Sequence, residues 1–468
     1  MIFRRPSRYT NALLRRSALT ATCLLLANGL VGPQTHASEE NTGPQVSGRF
    51  FSNVYVPTQA AAGQTLSSTS LLQSIASLWL GVDAKIQETT SVHAILTGDA
   101  MDASLAQNRG VQPTTQPFRM GLREAYVQYQ RGGVEVRAGR QIIPWGKSDA
   151  FNPTDYLTAK DLALLNPDDE VRRIGATSLL ASWTPQAGNS PWTFSLVWTP
   201  VFPRTKLLVA SSVLPENVTL TGRIETIDSN VQNSELALKS SYNGQGWDAS
   251  VSVFRGWNHI PKFTLVGLSG TESALQISIG QAFHRVTALG GDVSTSWGDW
   301  VFRGESAYFW TENPDGTNPF IEPTHWDSVL GIERPLGSDF RVQGQLLVRI
   351  MPRFLPLDET PGSAGVPAAV NIAIVKANAL LLGYQDQTRP AITLRPSYSN
   401  ETLGLEAELF LLHNFMGHDS LLRPKLTYRI TDGFKATLGS DIYRGPSDRP
   451  LGALQSYNSV FAEAKYTF

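Results

Sequence analysis

Cysteine is almost missing from this 468-residue chain: the only one, Cys23, lies within the first 37 residues. Thiolate catalysis, disulfides and cysteine-ligated metals are therefore excluded from the rest. Long apolar runs are missing too. Beyond residue 37 the best stretch, 372–382, is too short for a spanning helix and carries Lys376 and Asn378. Charge is sparse, at 17% against about 25% in ordinary soluble domains. It also has no basic excess, because 39 basic and 40 acidic side chains leave a net charge of −1, which excludes a nucleic-acid partner. A hydrophobic content of 41% is nevertheless too high for a disordered chain.

What is present begins with a targeting pattern. Arg4, Arg5, Arg8, Arg15 and Arg16 precede an apolar stretch over 17–31, and Thr35-His36-Ala37 supplies small side chains at both ends of the tripeptide. Those are the three parts of a secretory signal peptide, so residues 1–37 are expected to be cleaved and 38–468 to form one domain. The five arginines leave with that segment, and the remainder is mildly acidic.

The remainder alternates. Backwards from the terminus, Phe468, Tyr466, Ala464, Ala462 and Val460 share one face, and Thr467, Lys465, Glu463 and Phe461 share the other. Trp300, Phe302, Tyr308 and Trp310 stand opposite Arg303 and Glu305. Aromatics about eight residues apart on one face, at ~3.3 Å per residue on a tilted strand, match the two girdles of a membrane-spanning barrel. A soluble sandwich alternates as well, but its strands need not end in aromatics. The expected fold is all-β: a transmembrane antiparallel β-barrel of about 18 strands, from 46–56 to 456–468, with short periplasmic turns and long extracellular loops. A strand is expected over 172–184. A count of sixteen stays open, because Leu275, Ile277 and Ile279 also suit a separate hairpin.

A barrel of that size is too wide for its wall to fill, so water or an inserted loop must occupy it. The alternation places Arg137, Arg303, Glu305, Arg341, Arg349, Glu406, Glu408, Arg423, Lys425, Arg429 and Lys465 on the lumen wall. Their signs are nearly balanced, so no ion preference follows.

One segment is distinctive. Residues 139–158 read GRQIIPWGKSDAFNPTDYLT, dense in turn formers, and leave the fifth strand for the third long loop. Here the chain resembles a family of porin-like outer-membrane barrels of Gram-negative bacteria, largely of unassigned function, that carry a similar Gly-Arg-Gln, Trp-Gly, Asp, Asn-Pro-x-Asp string. The resemblance implies an outer-membrane location and passage of solutes, and no substrate. In general porins the third outer loop folds into the barrel and narrows it. The corresponding loop, 142–171, is expected to do so here, with Arg140, Lys147, Asp149, Asp155, Lys160, Asp161, Arg172 and Arg173 forming the constriction. The other reading is an outward loop held by its own Asn and Asp turns.

No catalytic signature competes. The sequence has no His-Glu-x-x-His and none of the His-x-Ser-Asn-Gly string of outer-membrane phospholipases; His418-Asp419-Ser420 is the nearest approximation. The expected function is thus a non-enzymatic channel for small solutes that needs no cofactor. The alternative is a surface-assembly or adhesion barrel with a plugged lumen. Expected partners are outer-membrane lipid and lipopolysaccharide, and the barrel-assembly machinery through the strand ending in Phe468.

Overall fold

A computed structural model describes residues 43–58, 73–101, 118–186, 190–207, 218–270, 275–357 and 366–468. The expected signal peptide lies outside the described residues. In chain order the first strands are β1 (Gln45–Pro57), β2 (Gln73–Gln87), β3 (Thr90–Met101), β4 (Phe118–Arg131), β5 (Val134–Gln141) and the two-residue β6 (Ala159–Lys160). A short helix α1 (Asp169–Arg172) leads into β7 (Arg173–Ile174), β8 (Ala176–Trp183), β9 (Trp192–Thr199), β10 (Val218–Ile224), β11 (Glu235–Asn243) and β12 (Trp247–Trp257). Next come β13 (Lys262–Ser269), β14 (Gln276–Ala282), β15 (Arg285–Trp297), β16 (Trp300–Thr311), β17 (His325–Leu336) and β18 (Phe340–Ile350). After helix α2 (Ala368–Leu382) the chain ends with β19 (Thr388–Asn400), β20 (Leu405–Asn414), β21 (Asp419–Arg429), β22 (Phe434–Arg444) and β23 (Ser459–Thr467).

Eighteen of these form one antiparallel wall in which every strand pairs with its neighbours along the chain. The wall closes where β1 meets β23, from Arg49 opposite Thr467 to Pro57 opposite Ser459. Closure leaves no unpaired edge, the condition for a sheet to stand in lipid. The alternation predicts all eighteen, with ends displaced by a few residues. The largest displacement is at β8, which begins at Ala176 rather than 172, because Arg172 belongs to α1 and β7 pairs with β6. A sixteen-stranded wall is excluded. Ile277 and Ile279 lie in β14, which leaves the wall and joins β10 and β13 in a separate three-stranded sheet.

Along the wall one register carries the exposed apolar side chains, such as Leu78, Leu80 and Val82 of β2, and Leu330 and Ile332 of β17. That face is the outer one. Exposed Trp183, Trp192, Trp247 and Trp297 mark the rim with short turns, and exposed Trp198, Trp310 and Trp326 mark the other rim, as a bilayer's two interfaces require. Connections on the first rim are short, apart from 184–191. Those on the second are long, apart from 415–418, where His418 turns the chain at a φ of +49°.

Over the long-loop rim sits a second apolar core. Phe263, Ile277 and Ile279 of the small sheet pack against Val370, Ile374 and Ala377 of α2. Asn378 of α2 accepts from the Phe263 N–H at 2.6 Å and donates to its carbonyl at 3.0 Å. A side chain thus satisfies both backbone groups of a residue on the edge strand β13. Among the described residues no helix is long and apolar enough to cross a membrane.

Candidate functional site

The chain leaves β5 at Gln141 and re-enters the wall at Ala176. Between these points it turns into the barrel, because its aromatic residues find apolar cover there. Trp145, Tyr156 and Leu157 are buried against Leu180, Val197, Ala237, Phe254, Val286, Ala288 and Ala307, all wall residues of β8 to β16. Tyr156 stacks on Phe254 with ring centroids 5.6 Å apart, and its hydroxyl lies 3.3 Å from Ser252 Oγ. Burial pushes that phenol up to about 12.

A single wall carboxylate secures the first half of the loop. Glu305 of β16 accepts from the backbone N–H groups of Lys147 and Ser148 (2.5 Å for the latter) and from Thr154 Oγ1 at 3.2 Å. Gly146 makes this approach feasible. Its φ is +95°, and a Cβ there would lie 3.0 Å from both Glu305 carboxylate oxygens. The Lys147 ammonium reaches on to Asp248 of β12 and to Asp292 of β15, the latter at 3.1 Å; Lys239 of β11 lies 3.5 Å from the same Asp292. Burial works against the charge on Lys147, but the two aspartates outweigh it and hold its ammonium above the ordinary lysine value. The neighbouring residues reach β18: Gln343 donates to Asp149 at 2.9 Å, and the Ala150 N–H donates to Gln345 at 3.3 Å.

The second half crosses to the other side of the lumen. Asp155 turns the chain by accepting from the Trp145 N–H at 3.3 Å and from Thr158 Oγ1 at 2.7 Å, and burial raises its carboxyl. Leu165 packs among Tyr55, Phe410, Leu421, Tyr443, Tyr457 and Phe461, and its N–H donates to Gln73 Oε1 at 2.7 Å. Asp168 lies 3.5 Å from Lys465, and Glu170 pairs with Arg49 at 3.0 Å. The return is tied by Asp169, which meets Lys160, Arg172 and Arg173 at 2.9, 3.2 and 3.0 Å. Burial pulls the Asp169 carboxyl up, but the three cations outweigh it and hold it below the ordinary range. Asp161 pairs outside this group, with Lys206 at 2.7 Å.

Of the eight residues expected together at a constriction, seven lie on this crossing loop or its return, in separate places: Lys147 with Asp149, Lys160 with Arg172 and Arg173 around Asp169, and Asp155 and Asp161 each with partners of its own. Arg140 does not join them. It occupies the outward register of β5, between Ala125 and Thr177, while Arg137 and Gln141 occupy the inward one. The expected lumen wall is largely spoken for by partners. Glu305 is 3% exposed beneath the loop. Arg349 pairs with Asp327 and Glu322, both at 2.7 Å, and Arg423 pairs with Asp441. Arg303 and Arg341 share Glu333, Arg137 pairs with Glu135, Lys425 with Glu408, and Lys435 with Glu406. Arg429 donates to the Glu401 carbonyl.

Sequence reasoning missed Asp248, Asp292 and Arg395. Asp292 follows two glycines, which blank out the alternation, and Arg395 stands between Pro390 and Pro396. Arg395 is inward, 5.3 Å from the Phe410 ring centroid, and has no hydrogen bond or ion pair among the described residues.

No protein-family model matches this sequence, and neither does any curated protein. Solved structures do. The chain is similar to OccAB3 of Acinetobacter baumannii at a TM-score of 0.54 and 11% identity, over 92% of this chain and 100% of that one. It is similar to the outer membrane protein OpdK from Pseudomonas aeruginosa at a TM-score of 0.52 and 9% identity, over 91% and 98%. A structure of OpdK with vanillate matches over the same shares at a TM-score of 0.51 and 9% identity. At such identities the likeness is one of fold, and the chain has the closed antiparallel barrel of these bacterial proteins, with eighteen strands in its wall.

Proposed function

We propose that this chain is an outer-membrane channel for small solutes, non-enzymatic and without a cofactor, in which the loop following β5 narrows the passage. The reading rests on one observation above the others. That loop lies inside the barrel and touches walls on opposite sides, Glu305 and Gln345 on one and Gln73 and Lys465 on the other. A segment held at both ends across a cylinder divides its cross-section. Solutes then pass beside the loop, along a wall of paired charges that hydrate the interior and act on passing ions. Lys147, Asp149, Asp155, Lys160, Asp161, Arg172 and Arg173 enter this proposal as loop residues that hold or border the constriction. Arg140 does not enter it.

The outer-membrane placement draws on the apolar outer face with aromatic residues at both rims. The vanillate bound by OpdK makes a small aromatic carboxylate a sensible first probe solute for this chain. Recognition by the barrel-assembly machinery is proposed at Phe468, which follows the last strand and stands 48% exposed.

The test is planar-bilayer recording of the refolded barrel with and without residues 147–160. Stepwise currents that increase on deletion are the expected result. Equal currents reject the constriction, and a silent but folded barrel favours the surface-assembly or adhesion reading with a plugged lumen.

A further inference from the structure

On the outward face, near the long-loop rim, two arginines stand together. Arg255 of β12 lies opposite Thr287 of β15, and Trp257 lies opposite Arg285. Arg285 is fixed in place: its guanidinium carbon sits 4.0 Å from the Trp257 ring centroid, and Nη2 donates to the Gln232 carbonyl and to Asn233 Oδ1 at 2.9 Å. Trp257 is anchored in turn by its indole N–H, which donates to the Asn233 carbonyl at 3.0 Å. Arg255 is different. It is exposed and has no hydrogen bond, ion pair or ring contact among the described residues. Two acids lie near Arg285, Glu235, which accepts from the Trp257 backbone N–H at 3.1 Å, and Glu312, which accepts from the Arg285 backbone N–H at 3.0 Å, and neither is bonded to the Arg255 guanidinium. At the same height Trp198 flanks Leu236 of β11, and Trp310 flanks Thr287, which puts the pair at the level of the aromatic girdle.

Two neighbouring guanidiniums on a lipid-facing wall repel each other and pay desolvation unless an anion lies between them. Water fills that role poorly at girdle depth, whereas a phosphate offers three oxygens to planar forks of N–H donors. We infer that Arg255 and Arg285 form a docking site for the phosphate group of an outer-leaflet phosphoglycolipid, with Trp257 holding Arg285 at headgroup level. The inference rests on the outer-membrane placement proposed above. It assigns to the barrel's outer wall a ligand that the channel reading does not require.

The experiment titrates the full refolded barrel in dodecyl maltoside with bisphosphorylated lipid A and follows the thermal midpoint of barrel unfolding. Lipid A is expected to raise the midpoint. In the Arg255→Gln/Arg285→Gln variant the half-saturating concentration should increase at least tenfold, and Arg255→Lys should recover part of the loss. Arg255→Gln alone keeps folding separate from binding, since Arg255 has no partner to lose. An unchanged response in the double variant overturns the site, as does an equal response to dephosphorylated lipid A. An equal response to inorganic phosphate at the same concentration overturns the lipid assignment. Cell fractionation separates the two readings: a chain found in the outer membrane that ignores lipid A defeats this inference alone, and a chain absent from that membrane defeats both.

Discussion

Gly146 and Glu305 depend on each other. The carboxylate collects two backbone N–H groups and a hydroxyl only because no Cβ stands in its way, and hydrogen bonds to a charged acceptor are worth about 1.5–3 kcal/mol each. A β-branched side chain at Gly146 meets both obstacles at once: the +95° φ, itself worth about 1–3 kcal/mol of strain, and the 3.0 Å contacts. Gly146→Val is therefore expected to detach the first half of the loop without opening the wall. Single-channel current should increase, while strand content measured by circular dichroism stays as in the parent; an unchanged current would show that the loop tolerates the substitution. Trp-Gly in this stretch was legible in the sequence as a turn. Its purpose was not, because Glu305 is 159 positions away along the chain and only closure of the barrel brings the two together.

At the scale of elements, two carboxylates of the loop, Asp169 and Asp155, answer acid in opposite ways. Asp169 is held below the ordinary carboxylate range by Lys160, Arg172 and Arg173, against the pull of burial. Its contribution is therefore fully present above the unfolded-state value near 4 and is lost as pH falls through its depressed folded value. Asp155 is raised by burial, so its protonated form suits the folded loop, and acid does not dislodge that turn. Lowering the pH through the carboxylate range and below should release the Asp169 cluster at residues 160–173 before the turn that Asp155 makes with Trp145 and Thr158. Hydrogen exchange monitored by mass spectrometry reads this directly, and simultaneous release of the two would refute the assignment. The same separation explains the misplaced start of β8. A period of two runs smoothly through Arg172 and Arg173, but α1 and the β6–β7 pairing claim those residues because Asp169 needs both guanidiniums.

For the molecule as a whole, closure carries the stability. Every wall strand has two neighbours, so unfolding has no edge from which to start. The folded barrel is expected to resist dodecyl sulfate at room temperature and to migrate faster in gels than the boiled chain. Identical migration before and after boiling would contradict a closed wall. The eighteen strands, the outward face and the rim with short turns were all readable in advance, because a sheet between lipid and water imposes a period of two on each strand locally. A departure from that reading occurs where contacts are remote. Ile277 and Ile279 have the alternation of a wall strand, yet α2 offers them an apolar partner outside it. Arg140 departs for a local reason instead: three residues beyond inward Arg137, it takes the outward face by the same period of two. Local patterning, which each strand carries within itself, thus settled that this chain makes a barrel and where the wall lies. The course of the loop through the interior, and which charges it consumes, depended on residues more than a hundred positions apart being brought within hydrogen-bond reach, and no periodicity records that.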